Sequence, residues 1–219
     1  MQRQLCAGKQ HDLEREQRQQ TVLHVTIIAF ARALRLPVGR GIASMLLKLK
    51  RTPGIFLVGF MGCGKSTVGR ALAGELGWSF FDLDDEIERR EGLPIAEIFE
   101  MRGEAAFREV ETAALRERIT AVERGRPQVI SLGGGTFLTP ENFDLISNHG
   151  VTVWLDVPLE VIRRRIQGFD HRPLARDPEQ LRELYEARRA GYARAEFHLE
   201  IASDDVVVNV AKIMSLPLF

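Results

Sequence analysis

The sequence predicts an α/β fold, in which a parallel sheet is covered by helices on both faces. From Gly54 onward, short apolar runs alternate with longer segments of helical periodicity, a pattern typical of parallel sheets with crossover helices. The first apolar run also leads directly into a glycine-rich loop, VGFMGCGKST at residues 58–67, and a helical pattern follows it. That succession of strand, loop and helix is typical of nucleotide-binding α/β proteins.

Each element is predicted from its periodicity and its flanking residues. Strands are expected at 55–58, 78–82, 128–132, 151–155 and about 198–202. Helices are expected at 64–76, 84–92, 94–101, 104–123, 158–165, about 179–194 and from 204 onward. Residues 168–180 are rich in Gly, Asp, His, Arg and Pro, which favours a mobile loop.

Composition divides the chain into an extension, residues 1–52, and a globular domain, residues 53–219. The extension holds ten Lys/Arg and three Asp/Glu, a net of +7, so the neutral chain leaves a net of −7 for the domain. Residues 1–20 are polar and are expected to be partly disordered. Residues 22–50 mix apolar and basic side chains, which fits either a basic amphipathic helix or a plain appendage.

Several classes of protein are excluded by composition. No apolar run approaches the ~20 residues that span a bilayer, and acidic residues precede the longest one, so a secretory signal is not expected. Cys6 and Cys63 show no pairing pattern, which favours a reducing, cytoplasmic environment over a disulfide framework.

The glycine-rich loop predicts a phosphate-binding site. Its glycines free backbone N–H groups to face phosphate oxygens, and the following helix adds its positive N-terminal end. Lys65 is expected to reach the β- and γ-phosphates, and Ser66 to ligate Mg²⁺. The predicted ATP-binding residues of the loop are Gly62, Cys63, Gly64, Lys65, Ser66 and Thr67.

Three carboxylates follow the second predicted strand, at Asp82, Asp84 and Asp85. Ligands of open parallel sheets bind outside the carboxyl ends of the strands, so these acids should face the phosphate loop. One could hold Mg²⁺ through water and another could accept a proton from a hydroxyl group. One of the three should also cap the next helix, and Asp85 is the most dispensable for chemistry.

The third predicted strand ends in three consecutive glycines, Gly133, Gly134 and Gly135. Such a run lets a ligand approach main-chain N–H groups closely. Together with Asp84, Arg108 and an arginine further along the chain, it suggests a pocket for a small polyol that bears an anionic group.

These segments, in this order, resemble shikimate kinase: VGFMGCGKST, FDLDDEIERREG, IAEIF, GEAAFREVE, ISLGGGT, HRPLA and a late Arg-x₃-Tyr. The resemblance runs from Gly54 to the C-terminus. It implies a P-loop kinase fold of the nucleoside-monophosphate-kinase type, with five parallel strands in the order 2-3-1-4-5. It also implies ATP-dependent phosphorylation of shikimate at its 3-hydroxyl, by a cytoplasmic monomer with Mg²⁺ as cofactor and without nucleic-acid partners.

The resemblance also implies a role for each matching residue. Asp84 would bind the shikimate hydroxyls and act as base, with Lys65 and Arg172 as the other catalytic residues, and Asp82 would support the magnesium shell through water. Arg165 would cover the adenine, and Arg172 would reach the ATP phosphates from a lid at about 168–180. The implied shikimate-binding residues are Asp84, Arg108, Gly133, Gly134, Gly135 and Arg188, with Phe99 and Phe107 as walls and Glu111 behind Arg108.

The match departs from the family at the late arginine. The family pattern is Arg-x-Pro-Leu-Tyr, and this chain has Arg188-Arg-Ala-Gly-Tyr192. Spacing to the tyrosine selects Arg188 over Arg189, which is expected to be a spectator. Two other functions stay open at this point: another small-molecule kinase, such as gluconate kinase, and a non-catalytic ligand-sensing module.

Overall fold

A computed structural model describes residues 54–167, 177–216 and 218 of the chain. By internal contacts the chain divides into two units, and the unit Leu49–Leu216 holds every element described below. The predicted extension and most of the predicted lid, including Arg172, lie outside the described residues. Within the described residues, no helix has the length and apolar character that crossing a membrane requires.

The sheet has five parallel strands in the order β2-β3-β1-β4-β5, which confirms the predicted order. The strands are β1 (Gly54–Val58), β2 (Ser79–Asp82), β3 (Gln128–Ser131), β4 (Val151–Asp156) and β5 (Phe197–Glu200). All residues of β1, β3 and β4 are buried, as expected for strands with a helical layer on each face. The apolar core therefore lies around the middle of the sheet.

The described part of the chain also contains seven α-helices and one 3₁₀ helix. The α-helices are α1 (Lys65–Leu76), α2 (Leu83–Glu91), α3 (Ile95–Glu123), α4 (Pro140–His149), α5 (Leu159–Ile166), α6 (Pro178–Tyr192) and α7 (Val206–Met214), and the 3₁₀ helix is Thr136–Leu138.

Most predicted elements are confirmed with shifts of one or two residues at their ends. The two helices predicted at 94–101 and 104–123 form the single run α3, which is interrupted at Gly103, where φ is 78° and ψ is 171°. Helix α4 was not predicted, although Pro140 stands at its first turn, where proline is favoured.

Parallel strand direction places three loops at one edge of the sheet. The phosphate loop follows β1, Asp82 ends β2, and the three glycines follow β3. Because β1 lies beside β3, and β3 beside β2, these three segments are neighbours in space. The edge at which open α/β sheets bind ligands thus carries the predicted motifs.

Candidate active site

The loop between β1 and α1 has the backbone shape of an anion-binding site. Gly59, Gly62 and Gly64 have φ of 145°, 74° and 96°, a region that residues with a Cβ rarely adopt. A methyl group on Gly62 would also lie 2.8 Å from Ile166 Cγ2. No side chain in the described part of the chain caps the N-terminus of α1, so its first N–H groups are available to a phosphate.

Lys65 is buried at the start of α1 and folds back over the loop. Its Nζ donates to the backbone carbonyls of Gly59 at 2.9 Å and Phe60 at 3.1 Å. Cys63 is also buried, and its Sγ lies 3.8 Å from the same ammonium group. The carbonyls thus hold the cation inside the loop, where it balances the charge that an incoming phosphate would bring.

Asp82 joins the phosphate loop to the carboxylate segment. Its Oδ2 accepts a hydrogen bond of 2.5 Å from the Ser66 hydroxyl, and its Oδ1 accepts from the backbone N–H groups of Asp84 and Asp85. Asp82 is therefore the N-cap of α2, a role that the sequence left open among three acids. Asp85 is exposed and pairs with Arg70 on the surface.

Asp84 is a partly buried carboxylate among other acids. Burial raises the pKa of Asp84 to about 6, with help from the negative charges of Asp82 and Glu111, while Lys65 opposes the shift. A carboxylate with that pKa is a stronger base than an ordinary aspartate and is still largely ionised at neutral pH.

Each glycine of the triplet faces a different functional side chain. A methyl group on Gly133 would lie 2.6 Å from Asp84 Oδ1, and one on Gly134 would lie 3.0 Å from Arg188 Nη1. A methyl group on Gly135 would lie 2.7 Å from Arg108 Nη2. The triplet therefore brings three residues from three different helices to within a few ångströms of one backbone segment. It leaves no room for side chains between them.

Arg108 is held by two glutamates. Its Nη1 donates to Glu111 Oε2 at 2.8 Å, and its Nη2 and Nε donate to Glu104 Oε1 at 3.0 and 3.3 Å. Glu111 is almost fully buried, and its other oxygen accepts a hydrogen bond of 2.6 Å from Thr136. Thr136 was missed at the sequence level, and its position directly after the triplet was the available signal.

An aromatic pair lies beside Arg108. The rings of Phe99 and Phe107 are 4.4 Å apart, and the Arg108 guanidinium lies 5.3 Å from the Phe107 ring centre. Phe107 is buried and Phe99 is partly exposed. The pair comes from the two sides of the Gly103 interruption in α3.

The two adjacent arginines of α6, Arg188 and Arg189, contact different parts of the structure. Arg188 approaches Gly134 and the Phe60 ring, and Tyr192 donates a 2.5 Å hydrogen bond to the Gly134 carbonyl. Arg189 instead forms a two-point ion pair with Asp156, at 2.7 and 2.8 Å. Of the two, only Arg188 faces the glycine triplet.

Arg165 lies over the phosphate loop. Its Nη1 donates to the Gly62 carbonyl at 3.1 Å, and Asp204 holds its other nitrogens at 2.5 and 3.0 Å. Thr67, the last residue of the predicted loop, is exposed. The site therefore has two halves. Lys65, Ser66 and Arg165 surround the loop, whereas Asp84, Arg108 and Arg188 surround the triplet.

Comparison with known proteins gives one family. The shikimate kinase family model matches residues 61–215. The shikimate kinase of Persephonella marina is 41% identical over 66% of this chain and 87% of its own length. That of Synechococcus elongatus is 40% identical over 74% of this chain and 85% of its own. A solved structure, shikimate kinase from Acinetobacter baumannii in complex with shikimate, has a TM-score of 0.71 and 36% identity, covering 78% of this chain and 95% of that one.

These matches span the phosphate loop, the carboxylate segment, the glycine triplet and α6, which are the segments that build the site. They also agree with the fold, because solved shikimate kinases superpose on most of the chain. The chain belongs to the shikimate kinase family.

Proposed function

We propose that this chain transfers the γ-phosphoryl group of ATP to the 3-hydroxyl of shikimate, giving shikimate 3-phosphate and ADP. The observation that carries the proposal is the glycine triplet, which faces Asp84, Arg188 and Arg108 in turn. The triplet also adjoins the phosphate loop, since a methyl group on Gly134 would lie 3.9 Å from the backbone nitrogen of Met61. A phosphate on the loop and an acceptor on the triplet would therefore be neighbours.

On the donor side, the uncapped N-terminus of α1 and the N–H groups of the loop bind the phosphates. Lys65 exchanges its two carbonyl partners for oxygens of the β- and γ-phosphates, a short movement within the same loop. Arg165 covers the nucleoside, held by Asp204. Arg172 is proposed to complete this half from the lid.

The oxygen atoms of Ser66 and Asp82 fit a magnesium ion that Ser66 would bind directly and Asp82 through water. They are hard oxygens joined by a 2.5 Å hydrogen bond beside the phosphate loop, and Mg²⁺ prefers one or two protein oxygens together with phosphate and water. The described residues contain no group of three or more His, Cys, Asp or Glu placed to hold a metal without such help. Bound there with ATP, Mg²⁺ would neutralise charge on the β- and γ-phosphates.

On the acceptor side, Arg108 and Arg188 bind the carboxylate of shikimate, because a guanidinium group matches a carboxylate at two points. Asp84 binds the ring hydroxyls, and the N–H of Gly134 donates to one of them. Phe99 and Phe107 form the wall against the ring, with Phe107 the more buried of the two. A charge at one end and hydroxyl partners at the other fix which hydroxyl meets the phosphate.

Asp84 accepts the proton that the 3-hydroxyl loses as its oxygen bonds to the γ-phosphorus and the bond to ADP breaks. Its raised pKa suits this role. Phosphoryl transfer depends chiefly on positioning and on charge stabilisation, so alignment of the hydroxyl by Asp84 matters as much as its basicity. The proposed setting is the cytoplasm, with ATP and shikimate as small-molecule partners and the protein acting as a monomer.

Phosphorus NMR of the product tests this proposal directly. After incubation with ATP, Mg²⁺ and shikimate, a single new phosphomonoester should appear, coupled to the proton on ring carbon 3. A product phosphorylated at another hydroxyl would refute the assigned orientation. Absence of any new phosphomonoester would refute the proposed function.

A further inference from the structure

We propose that Glu104 is an internal placeholder for the acceptor's carboxylate: it occupies the outer edge of Arg108 and must leave before that carboxylate can bind. The inference rests on the proposed function only in taking a carboxylate as the ligand of Arg108. It concerns how this chain holds Arg108 before the acceptor binds, and it predicts that variants of Glu104 bind the acceptor with higher affinity.

The guanidinium of Arg108 has two edges with different partners. Nη1 donates to Glu111 at 2.8 Å, whereas Nη2 and Nε both donate to Glu104 Oε1, at 3.0 and 3.3 Å. The Nη2–Nε edge is one that a carboxylate can bind at two points. Glu104 accepts both hydrogen bonds of this edge with one oxygen, Oε1, so it occupies the edge without the two-oxygen geometry that a bidentate carboxylate would have.

The two glutamates differ in how firmly they are held. The side chain of Glu111 is 1% exposed, and Thr136 binds its second oxygen. The side chain of Glu104 is 69% exposed, and in the described part of the chain its hydrogen bonds go to Arg108 alone. Glu111 is therefore a fixed support, and Glu104 is a partner that water can replace.

The backbone lets Glu104 swing away at little cost. Gly103, immediately before it, breaks α3 with a φ of 78°, and a Cβ at this position would meet no atom within 4 Å. Glu104 thus stands in the first turn of the section of α3 that carries Arg108. A carboxylate is favourable near a helix N-terminus even when it points into solvent, so displacement leaves Glu104 in an acceptable place.

The competition has a predictable direction. An exposed glutamate–arginine pair four residues apart is a weak contact, whereas an incoming carboxylate can bind the same edge at two points in a less exposed site. The acceptor's carboxylate therefore displaces Glu104, but it binds less tightly than it would to an Arg108 without that partner. Glu104 neutralises the charge of Arg108 between turnovers, at the expense of some affinity for the acceptor, while Glu111 holds the guanidinium in place.

Three variants separate this role from a general effect of charge. Glu104→Gln removes the negative charge, and Glu104→Asp keeps the charge but shortens the side chain by one methylene, which draws its oxygens away from Arg108. Glu109→Gln is the matched control, because Glu109 is an exposed acid on the same helix that makes no hydrogen bond or ion pair with Arg108. Binding is measured by NMR titration with shikimate and with 1-cyclohexene-1-carboxylate, which has the carboxylate and lacks the hydroxyls.

The placeholder predicts that both Glu104 variants bind both ligands about two- to fivefold more tightly than the unchanged chain. Glu109→Gln should bind both ligands as the unchanged chain does, and it should keep the kcat of the unchanged chain. Equal or weaker binding by Glu104→Gln would overturn the proposal, because Glu104 would then be neutral or would be needed to orient Arg108. Tighter binding by Glu104→Gln and Glu109→Gln, without any gain for Glu104→Asp, would also overturn the proposal. That result would mean that any nearby negative charge repels the ligand's carboxylate, without a specific contact between Glu104 and Arg108.

The two ligands keep this test apart from the proposed function. If the unchanged chain bound no shikimate, the proposed function would fail. The ratio of cyclohexenecarboxylate affinities between the variants and the unchanged chain would still decide the role of Glu104.

Discussion

The residue Asp84 carries a negative charge in a partly buried position, where burial disfavours the ionised carboxylate. Its folded pKa of about 6 lies above the ordinary 3.8, chiefly because of burial. The ionised form therefore destabilises the folded state above pH 6, and this penalty disappears as the pH falls from 6 towards 3.8. The proposed catalytic role of Asp84 and the stability of the fold are therefore opposed at this position.

Asp84→Asn should lower kcat and raise the melting temperature in the same protein. Loss of the base and aligner is expected to cost about 10²–10⁴ in kcat. Relief of the buried charge should add about 1–2 kcal/mol at pH 8, after allowance for partial exposure. Kinetics and calorimetry without ligands measure the two effects.

The pH dependence serves as the control for that variant. The gain in melting temperature should shrink between pH 8 and pH 5, because Asp84 of the unchanged chain becomes protonated over that range. A gain that is equal at both pH values would mean that burial of the charge is not its cause. Near-normal kcat in the variant would remove Asp84 from the role of base.

Gly135→Ala should weaken acceptor binding with little loss of folding stability. Its backbone, with φ of −104°, accepts alanine, but the new methyl group would push against Arg108 at 2.7 Å. We expect KM for shikimate to rise about tenfold, equivalent to about 1.4 kcal/mol, with a smaller change in KM for ATP.

Gly74→Ala in α1 is the matched control, because a methyl group there meets open space. It should leave both KM values unchanged and should stabilise the helix slightly. If Gly135→Ala behaved like Gly74→Ala, the close approach of the triplet to Arg108 would have no consequence for binding.

Sequence reasoning proposed site residues from short motifs and missed one partner from elsewhere in the chain. The phosphate loop, Asp84 and the glycine triplet each lie in a recognisable local pattern, whereas Arg108 and its partner Glu111 were assigned from the resemblance to the family. The hydrogen bond between Thr136 and Glu111, which was missed, joins residues 25 positions apart. Such contacts follow from the packing of several elements, which local patterns do not specify.

Helix α6 is the element on which two adjacent arginines have separate tasks. Arg188 points to the glycine triplet. Arg189 binds Asp156 at the end of β4, receives support from the Tyr185 hydroxyl at 2.6 Å, and lies over the Trp154 ring. His198 adds a contact of 2.9 Å to the same aspartate. Arg189, expected to be a spectator, thus ties α6 to the sheet.

Arg189→Ala should reduce stability more than it reduces binding. It would leave Asp156, which is 8% exposed, without its arginine, and the loss should be about 1–3 kcal/mol because Arg189 itself is partly exposed. Urea unfolding measures that loss. KM for shikimate should rise much less than it does in Arg188→Ala, where a proposed direct partner of the carboxylate is removed.

Arg182→Ala tests whether any exposed arginine of α6 would behave in the same way. It should leave both stability and KM unchanged. If Arg189→Ala raised KM more than Arg188→Ala did, the assignment of the second carboxylate-binding arginine would be reversed.

At the level of elements, the strands were easier to predict than some helices. Buried strands such as β1 and β4 are uninterrupted apolar runs, which are hard to mistake in this context. Helix α4 was overlooked because its ten residues carry few apolar positions, with Asn142 and Ile146 the buried ones. Its burial depends on neighbouring elements, and the sequence of one short segment does not display that.

For the whole molecule, the sheet, the phosphate loop and the glycine triplet all lie between Gly54 and Leu216. A chain that begins at Thr52 should therefore fold and keep the kcat of the full chain. Circular dichroism and steady-state kinetics of the shortened chain test this. Insoluble protein, or a large fall in kcat, would show that residues 1–51 take part in folding or catalysis.

The central claim is that the two halves of the site select shikimate as the acceptor of the phosphoryl group. A coupled ADP-release assay with ATP and Mg²⁺ should compare shikimate, quinate, gluconate and nucleoside monophosphates at equal concentrations. ADP release should depend on shikimate and stay close to the acceptor-free rate with gluconate and the nucleotides. In the proposed site, the rigid ring of shikimate places a hydroxyl at Asp84 while its carboxylate binds Arg108 and Arg188, whereas gluconate is an open chain and the nucleotides carry no carboxylate. Turnover of gluconate equal to that of shikimate, or ADP release that does not respond to shikimate, would contradict the account.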